Sequence, residues 1–143
     1  MLVRDVMTRD VITADPEMGI KEAARTLADN KVGSLVVVKG NRVIGILTER
    51  DILHALADCE GAGMESLKVG DAMTNYVIFT TPESRIETAI GLMAKNKIKK
   101  LPVLGNERLV GIVTASDIIT VQPDMIRSIK KLLSARYARK AGV

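Results

Sequence analysis

Residues 3 to 54 lie over residues 69 to 120 without a gap, giving 21 identities in 52 pairs at a period of 66. Unrelated sequence of this composition would match at roughly 6% of positions. A long-period repeat means one supersecondary unit built twice, and it limits the chain to folds assembled from two like halves. The matches fall in clusters. Asp5-Val6-Met7-Thr8 lies on Asp71-Ala72-Met73-Thr74, Pro16-Glu17 on Pro82-Glu83, and Asn30-Lys31 on Asn96-Lys97. Gly45-Ile46-Leu47-Thr48 lies on Gly111-Ile112-Val113-Thr114, with Asp51-Ile52 on Asp117-Ile118. The organisation read from this is a first repeat over 1–60, a glycine-containing linker over 61–67, a second repeat over 68–121 and an extension over 122–143.

Each repeat carries the same local signals. A short extended piece, Val11 to Thr13 or Val77 to Thr80, stops at Asp15 or Thr81, which read as helix N-caps with Pro16 or Pro82 in the first turn. Ile20, Ala23, Ala24 and Leu27, and then Ile86, Ala89, Ile90 and Met93, fall on one face at helical spacing. An apolar run, Leu35 to Val38 or Leu101 to Leu104, then turns at Lys39-Gly40-Asn41 or Gly105-Asn106-Glu107 into Val43 to Leu47 or Leu109 to Val113, which predicts a β-hairpin. Thr48 and Thr114 open a further helix. The predicted class is α/β, two β-α-β-β-α repeats. A unit of about 55 residues is marginal alone, so the two are expected to pack face to face.

Composition narrows the function. Phe79, Tyr76 and Tyr137 are the only aromatic residues, so no stacking platform for single-stranded nucleic acid is expected. Cys59 is the single cysteine, which excludes an intramolecular disulfide and suits a reducing compartment. The start of the chain lacks an apolar signal core, and Val32 to Val38 is too short to span a bilayer, so the expected location is the cytoplasm. His54 stands without histidine or cysteine companions at metal-ligand spacing, and no nucleophile has a base partner. No metal, catalytic group or enzyme activity is expected. Met7 and Met73 read as packing residues.

The chemistry concentrates in Gly45-Ile46-Leu47-Thr48-Glu49-Arg50-Asp51 and Gly111-Ile112-Val113-Thr114-Ala115-Ser116-Asp117, each at a strand-to-helix junction. Thr and Asp three apart satisfy the spacing of a capping box. The same geometry suits a nucleotide, since helix amides favour phosphate and a carboxylate can accept both ribose hydroxyls. Its appearance twice, at one offset, favours binding over a plain cap.

The order Asp-x-Met-Thr, Pro-opened helix, hairpin and Gly-x-x-Thr-x-x-Asp resembles the cystathionine-β-synthase-type (CBS) domain family over residues 1 to about 121. The resemblance implies two repeats with pseudo-two-fold symmetry, and clefts between them that take AMP, ADP, ATP or S-adenosylmethionine. It also implies a homodimer and an unidentified effector protein. By this likeness Asp51 and Asp117 hold ribose, with Thr48, Thr114, Arg50 and Ser116 on sugar or phosphate. Ile12, Thr13, Val32, Gly33 and Ser34, and likewise Phe79, Ile98, Lys99 and Lys100, surround adenine and phosphate. The repeats differ here. Only the second has a basic pair followed by apolar-Pro-Val, so one working cleft per chain is an open outcome.

The extension adds a separate signal. Met125, Ile126, Ile129, Leu132, Leu133 and Tyr137 recur at helical spacing among six basic residues, which predicts a basic amphipathic helix. Docking on the module or a twin subunit is the favoured use. The alternative function is a structural or nucleic-acid-associated adaptor that works through this helix with the clefts unoccupied, nucleic acid being the less favoured partner.

Overall fold

A computed structural model describes residues 1–121, 123, 130, 131 and 134. The expected C-terminal basic helix lies largely outside them. The chain forms two compact units, one of Ile12–Val77 and the other of Met1–Val11 together with Ile78–Val143; they are called here the first-repeat and second-repeat units.

In the first-repeat unit, strand β1 (Thr13–Ala14) runs parallel to β2 (Ser34–Lys39), which pairs antiparallel with β3 (Arg42–Thr48) in the order β1-β2-β3. Gly40 and Asn41 turn the hairpin with φ of 58° and 68°. Two successive left-handed residues match the strand twist, and glycine and asparagine tolerate that conformation best. Helix α2 (Ile20–Asn30) drives Ile20, Ala23 and Leu27 against Leu35, Val37 and Leu47 of the sheet. Helix α3 (Glu49–Asp58), a 3-10 helix over Gly61–Ser66 and helix α4 (Val69–Ala72) complete the unit, with Ile52 and Val69 in the same core.

The second-repeat unit repeats this plan with α5 (Ile86–Asn96), the antiparallel pair β4 (Lys100–Gly105) and β5 (Arg108–Thr114), and α6 (Ala115–Val121). Its core joins Ile86, Ala89, Ile90 and Met93 to Leu101, Val103, Val113 and Ile118. The strand expected over Val77 to Thr80 contracts to one parallel bridge, Thr80 to Val103. Both hairpins carry a bulge at equivalent places, Val37/Val38 and Val103/Leu104.

The helix starts differ from expectation. Asp15 and Thr81 do not cap α2 and α5, which begin several residues later at Ile20 and Ile86. Asp15 instead closes a turn, its Oδ1 accepting from Glu17 N at 2.8 Å and its carbonyl from Met18 N at 3.0 Å. Thr81 does the same for Ser84 N at 3.1 Å. Proline after Asp or Thr suits a β-turn as well as a helix start, and here the turn wins because it brings in a segment from elsewhere in the chain.

That segment is the lead of the opposite repeat. Helix α1 (Val3–Val6) sits in the second-repeat unit, where Val3 N donates to Ser84 O at 2.8 Å and Arg4 N to Pro82 O at 3.0 Å. Helix α4 is placed alike in the first-repeat unit, with Val69 N on Met18 O at 2.8 Å and Gly70 N on Pro16 O at 2.9 Å. Val3 and Val69 are fully buried. The sequence period therefore starts with Asp-x-Met-Thr, whereas each packed unit receives that segment from the other repeat.

Candidate functional site

Each residue of the lead motif has a structural task. The carboxylates of Asp5 and Asp71 accept from Leu2 N and Lys68 N at 2.8 and 3.0 Å, closing the short helices. Thr8 exchanges both backbone bonds with Ile112, at 2.8 and 2.9 Å, and Thr74 exchanges both with Ile46, at 2.9 and 3.0 Å. The methionines fill space that a glycine leaves open. A Cβ on Gly111 would stand 2.7 Å from Met7 Sδ and 2.9 Å from Thr8 O; on Gly45 it would stand 2.6 Å from Met73 Sδ and 2.9 Å from Thr74 O. This seat explains the first residue of Gly-x-x-Thr-x-x-Asp, and sequence reasoning missed it. Its only trace in the sequence is that Met and Gly recur at the same offset.

Three residues beyond each glycine the strand becomes a helix. In the first-repeat unit Thr48 Oγ1 accepts from Asp51 N at 3.1 Å, and Asp51 Oδ2 accepts from Thr48 N at 2.9 Å, a complete capping box. Glu49 N donates to Gly33 O at 3.1 Å, and Ser34 lies opposite Thr48 across β2–β3. Gly33, Ser34, Thr48 and Asp51 are thus brought together at one end of the sheet. Thr13 lies opposite Val36, two residues further along β2. Arg50 is exposed, and Ile12 and Val32 are half-buried against the core.

The second-repeat unit has the same frame with different chemistry. Lys100 lies opposite Thr114, Ala115 N donates to Lys99 O at 2.9 Å, and Thr114 Oγ1 accepts from Asp117 N at 3.0 Å. Asp117 Oδ2, however, is buried with no hydrogen-bond partner. A buried acceptor without a donor costs about 1–3 kcal/mol, more when charged, so this oxygen is primed for a hydroxyl or amide donor. Ser116 and Lys99 are exposed, Lys100 and Ile98 are half-buried, and Phe79 is 49% exposed beside Thr80, whose N donates to Pro102 O at 3.0 Å.

At the starts of α3 and α6 the Glu49 and Ala115 amides bond the Gly33 and Lys99 carbonyls, and the Asp51 and Asp117 amides bond the Thr48 and Thr114 hydroxyls, so these first-turn donors are already engaged. Of the first-repeat candidates, Val32 and Gly33 line one cavity and Asp51 another. One, of about 560 Å³, lies between α2 and α3 and is lined by Val32, Gly33, Glu49 and the apolar Leu27, Ile52 and Leu53. The other, of about 480 Å³, is lined by Asp51, His54, Asp58 and Asp71. Among the described residues no group of three or more His, Cys, Asp or Glu is placed to hold a metal ion, and no helix is long and apolar enough to cross a membrane.

A single charge contact sets the lead segments apart. Lys68 Nζ is paired with Glu17 Oε2, and its pKa is raised above 10.5 mainly by that hydrogen bond and the carboxylate charge. The equivalent of Lys68 in the other repeat is Leu2.

This fold and duplicated strand-to-helix junction define a class of paired regulatory modules, and comparison with known proteins agrees. The family model described as "CBS domain" matches twice, over residues 3–58 and 69–124. A Bacillus subtilis protein, CBS domain-containing protein YhcV, is 34% identical over 120 residues, covering 84% of each chain. Protein MJ1225 of Methanocaldococcus jannaschii is 36% identical over 118 residues, 82% of this chain but 41% of that one, so the chain spans less than half of that relative. The solved CBS domain pair of protein MJ0100, in complex with 5′-methylthioadenosine and S-adenosyl-L-methionine, superposes with a TM-score of 0.74 at 31% identity, over 85% of this chain and 94% of that one. The chain belongs to the CBS domain family and carries two such domains.

Proposed function

We propose that the chain is a non-catalytic sensor that binds an adenine nucleotide or adenosyl ligand at its Gly-x-x-Thr-x-x-Asp junctions and signals occupancy to a partner protein. The observation that carries the reading is the unpartnered Asp117 Oδ2 beside Thr114 and the Lys99-Lys100 pair. A ribose hydroxyl donates to that carboxylate, as acidic residues do in other nucleotide folds. Ser116, through its hydroxyl and amide, and Lys99 with Lys100 meet the phosphates. Phe79 and Ile98 flank the base. The adenosyl ligands of MJ0100 support this chemistry, because the same ribose contact serves AMP, ADP, ATP and S-adenosylmethionine.

The equivalent set in the first repeat is Thr48, Arg50 and Asp51 with Ile12, Thr13, Val32, Gly33 and Ser34. There Asp51 already holds the Thr48 amide, and Gly33-Ser34 replaces the lysine pair, so the second-repeat junction is the stronger site. The repeats are assigned to residues 1–60 and 68–121, with 61–67 joining them. A homodimer in the cytoplasm, coupled to an effector protein, is the assembly proposed. Any shift the ligand causes in that effector must come from different affinities for two states of the sensor.

Isothermal titration with AMP, ADP, ATP and S-adenosylmethionine tests the reading. Saturable binding that weakens at least about tenfold in Asp117→Ala, through loss of a charge-assisted hydrogen bond, is the expected result. Absence of binding by all four, with salt-sensitive nucleic-acid binding that disappears on removal of residues 123–143, would transfer the function to the basic extension.

A further inference from the structure

We propose that Met7 and Met73 are a matched pair of oxidation sites, at which peroxide converts the thioether to a sulfoxide and unlatches the lead segment from its motif glycine. Each sulfur is pressed against a glycine, 2.7 Å from the Cβ position on Gly111 and 2.6 Å from that on Gly45. Both methionines are nevertheless partly exposed, unlike Met93, which is 1% exposed in the core. Partial exposure of side chains that do structural work gives a small oxidant its route to them in this proposal.

In the reaction the methionine sulfur attacks one peroxide oxygen and forms the S–O bond as the O–O bond breaks. The thioether loses two electrons, and the remaining oxygen leaves as water after taking up the proton. The product is polar and larger, and methionine sulfoxide reductases reverse it. Its new oxygen is an acceptor in need of a donor. Outside the glycine and its chain neighbours, the backbone groups nearest the two Cβ positions are the Thr8 and Thr74 carbonyls, at 2.9 Å and already accepting from Ile112 N and Ile46 N. Acceptor faces acceptor in a space without slack, so the sulfoxide leaves the seat for solvent.

Val3 and Val69 and their backbone bonds anchor the start of each lead segment, so the release concerns its far end, at Thr8 and Thr74. Thr8–Ile112 and Thr74–Ile46 are isolated two-bond bridges, and α1 and α4 are single turns. Losing the methionine anchor exposes these bonds to exchange. Gly45 and Gly111 lie on the strands that end at Thr48 and Thr114, so the release also disturbs the junction proposed to bind ligand. The latch itself rests on packing; only this last link rests on the nucleotide reading.

The test treats the whole protein with hydrogen peroxide, maps sulfoxides by peptide mass spectrometry, and follows amide exchange and melting. Sulfoxide at Met7 and Met73 should accelerate exchange of Thr8, Ile112, Thr74 and Ile46 amides at least about tenfold and lower Tm by about 5 °C. Met7→Leu/Met73→Leu, which keeps an apolar side chain in each seat, should resist peroxide, and reductase treatment should restore the wild type. If the double variant folds poorly, Met7→Leu alone should protect the Thr8–Ile112 pair and leave Thr74–Ile46 sensitive. The proposal is overturned if both methionines are oxidised while the four amides stay protected. It is equally overturned if the leucine variants respond as the wild type does, or if Met7 and Met73 stay reduced while the half-buried Met18 and Met64 oxidise. Amide release with unchanged nucleotide affinity would keep the latch and refute only its link to the ligand site.

Discussion

The two repeats share one frame and spend it differently. In the first, the carboxylate of Asp51 is used within its own capping box, and Lys68 adds an ion pair to Glu17 that fastens the incoming lead segment. In the second, Asp117 Oδ2 is buried without a donor, Leu2 stands where Lys68 would be, and two lysines precede the hairpin. In one copy the carboxylate is tied into its own helix cap; in the other a carboxylate oxygen is buried without a donor. Duplication makes this division possible, because the shared packing positions hold both copies in shape while the polar positions diverge.

The largest expected effect tests what the copies share. Gly45→Ala and Gly111→Ala should each destabilise the fold by about 2–3 kcal/mol in urea unfolding, since the added methyl meets a backbone carbonyl that cannot move cheaply. The gain of about 0.4–1 kcal/mol from a less flexible unfolded chain is smaller than that clash. Equal losses at the two positions would sharpen the case for a common seat; a neutral result at one would break it.

The next effect separates the copies. Asp51→Ala should cost about 1 kcal/mol of stability by opening the capping box. Asp117→Ala removes an unsatisfied oxygen, so its cost should be at most half as great while its ligand affinity falls most. Matching thermal shifts for the two variants would erase the proposed difference.

A smaller effect lies in the hairpin turns. Glu107 takes φ of 66°, where the first hairpin has Asn41 at 68° following Gly40 at 58°. Glu107→Gly should stabilise the protein by about 0.5 kcal/mol or slightly more, because glycine adopts this conformation without a side-chain penalty.

The smallest effect belongs to the Lys68–Glu17 pair. Its folded-state pKa is raised, so its contribution is fully present below pH 10.5 and is lost as pH rises through the higher folded value. Both side chains are well exposed, which screens the interaction. Glu17→Gln should return the Lys68 titration, followed by NMR, toward its ordinary value with little change in Tm.

Much of the fold was legible because periodicity is a local record of burial. The stripe Ile20, Ala23, Leu27 and its mate Ile86, Ala89, Ile90, Met93 are the buried helix faces, and both hairpins occur where apolar runs flank turn residues. Thr48 and Asp51 were readable as a capping box and form one. Asp15 and Thr81 were misread because a proline-opened turn and a proline-opened helix share the same first residues, and the choice depends on a partner more than fifty positions away.

The sequence by itself determined that one α/β unit occurs twice, where its helices and hairpins fall, and which residues recur at the strand-to-helix junctions. These are matters of spacing, propensity and self-similarity, all carried by neighbouring residues. Only the tertiary structure decided that each unit takes its lead segment from the other repeat, that Gly45 and Gly111 are seats for Met73 and Met7, and that Asp117 rather than Asp51 has a buried oxygen without a donor. Those outcomes rest on contacts between distant residues and on ångström-scale fit. A repeat pattern contains neither, because two identical letters can sit in frames that satisfy them differently.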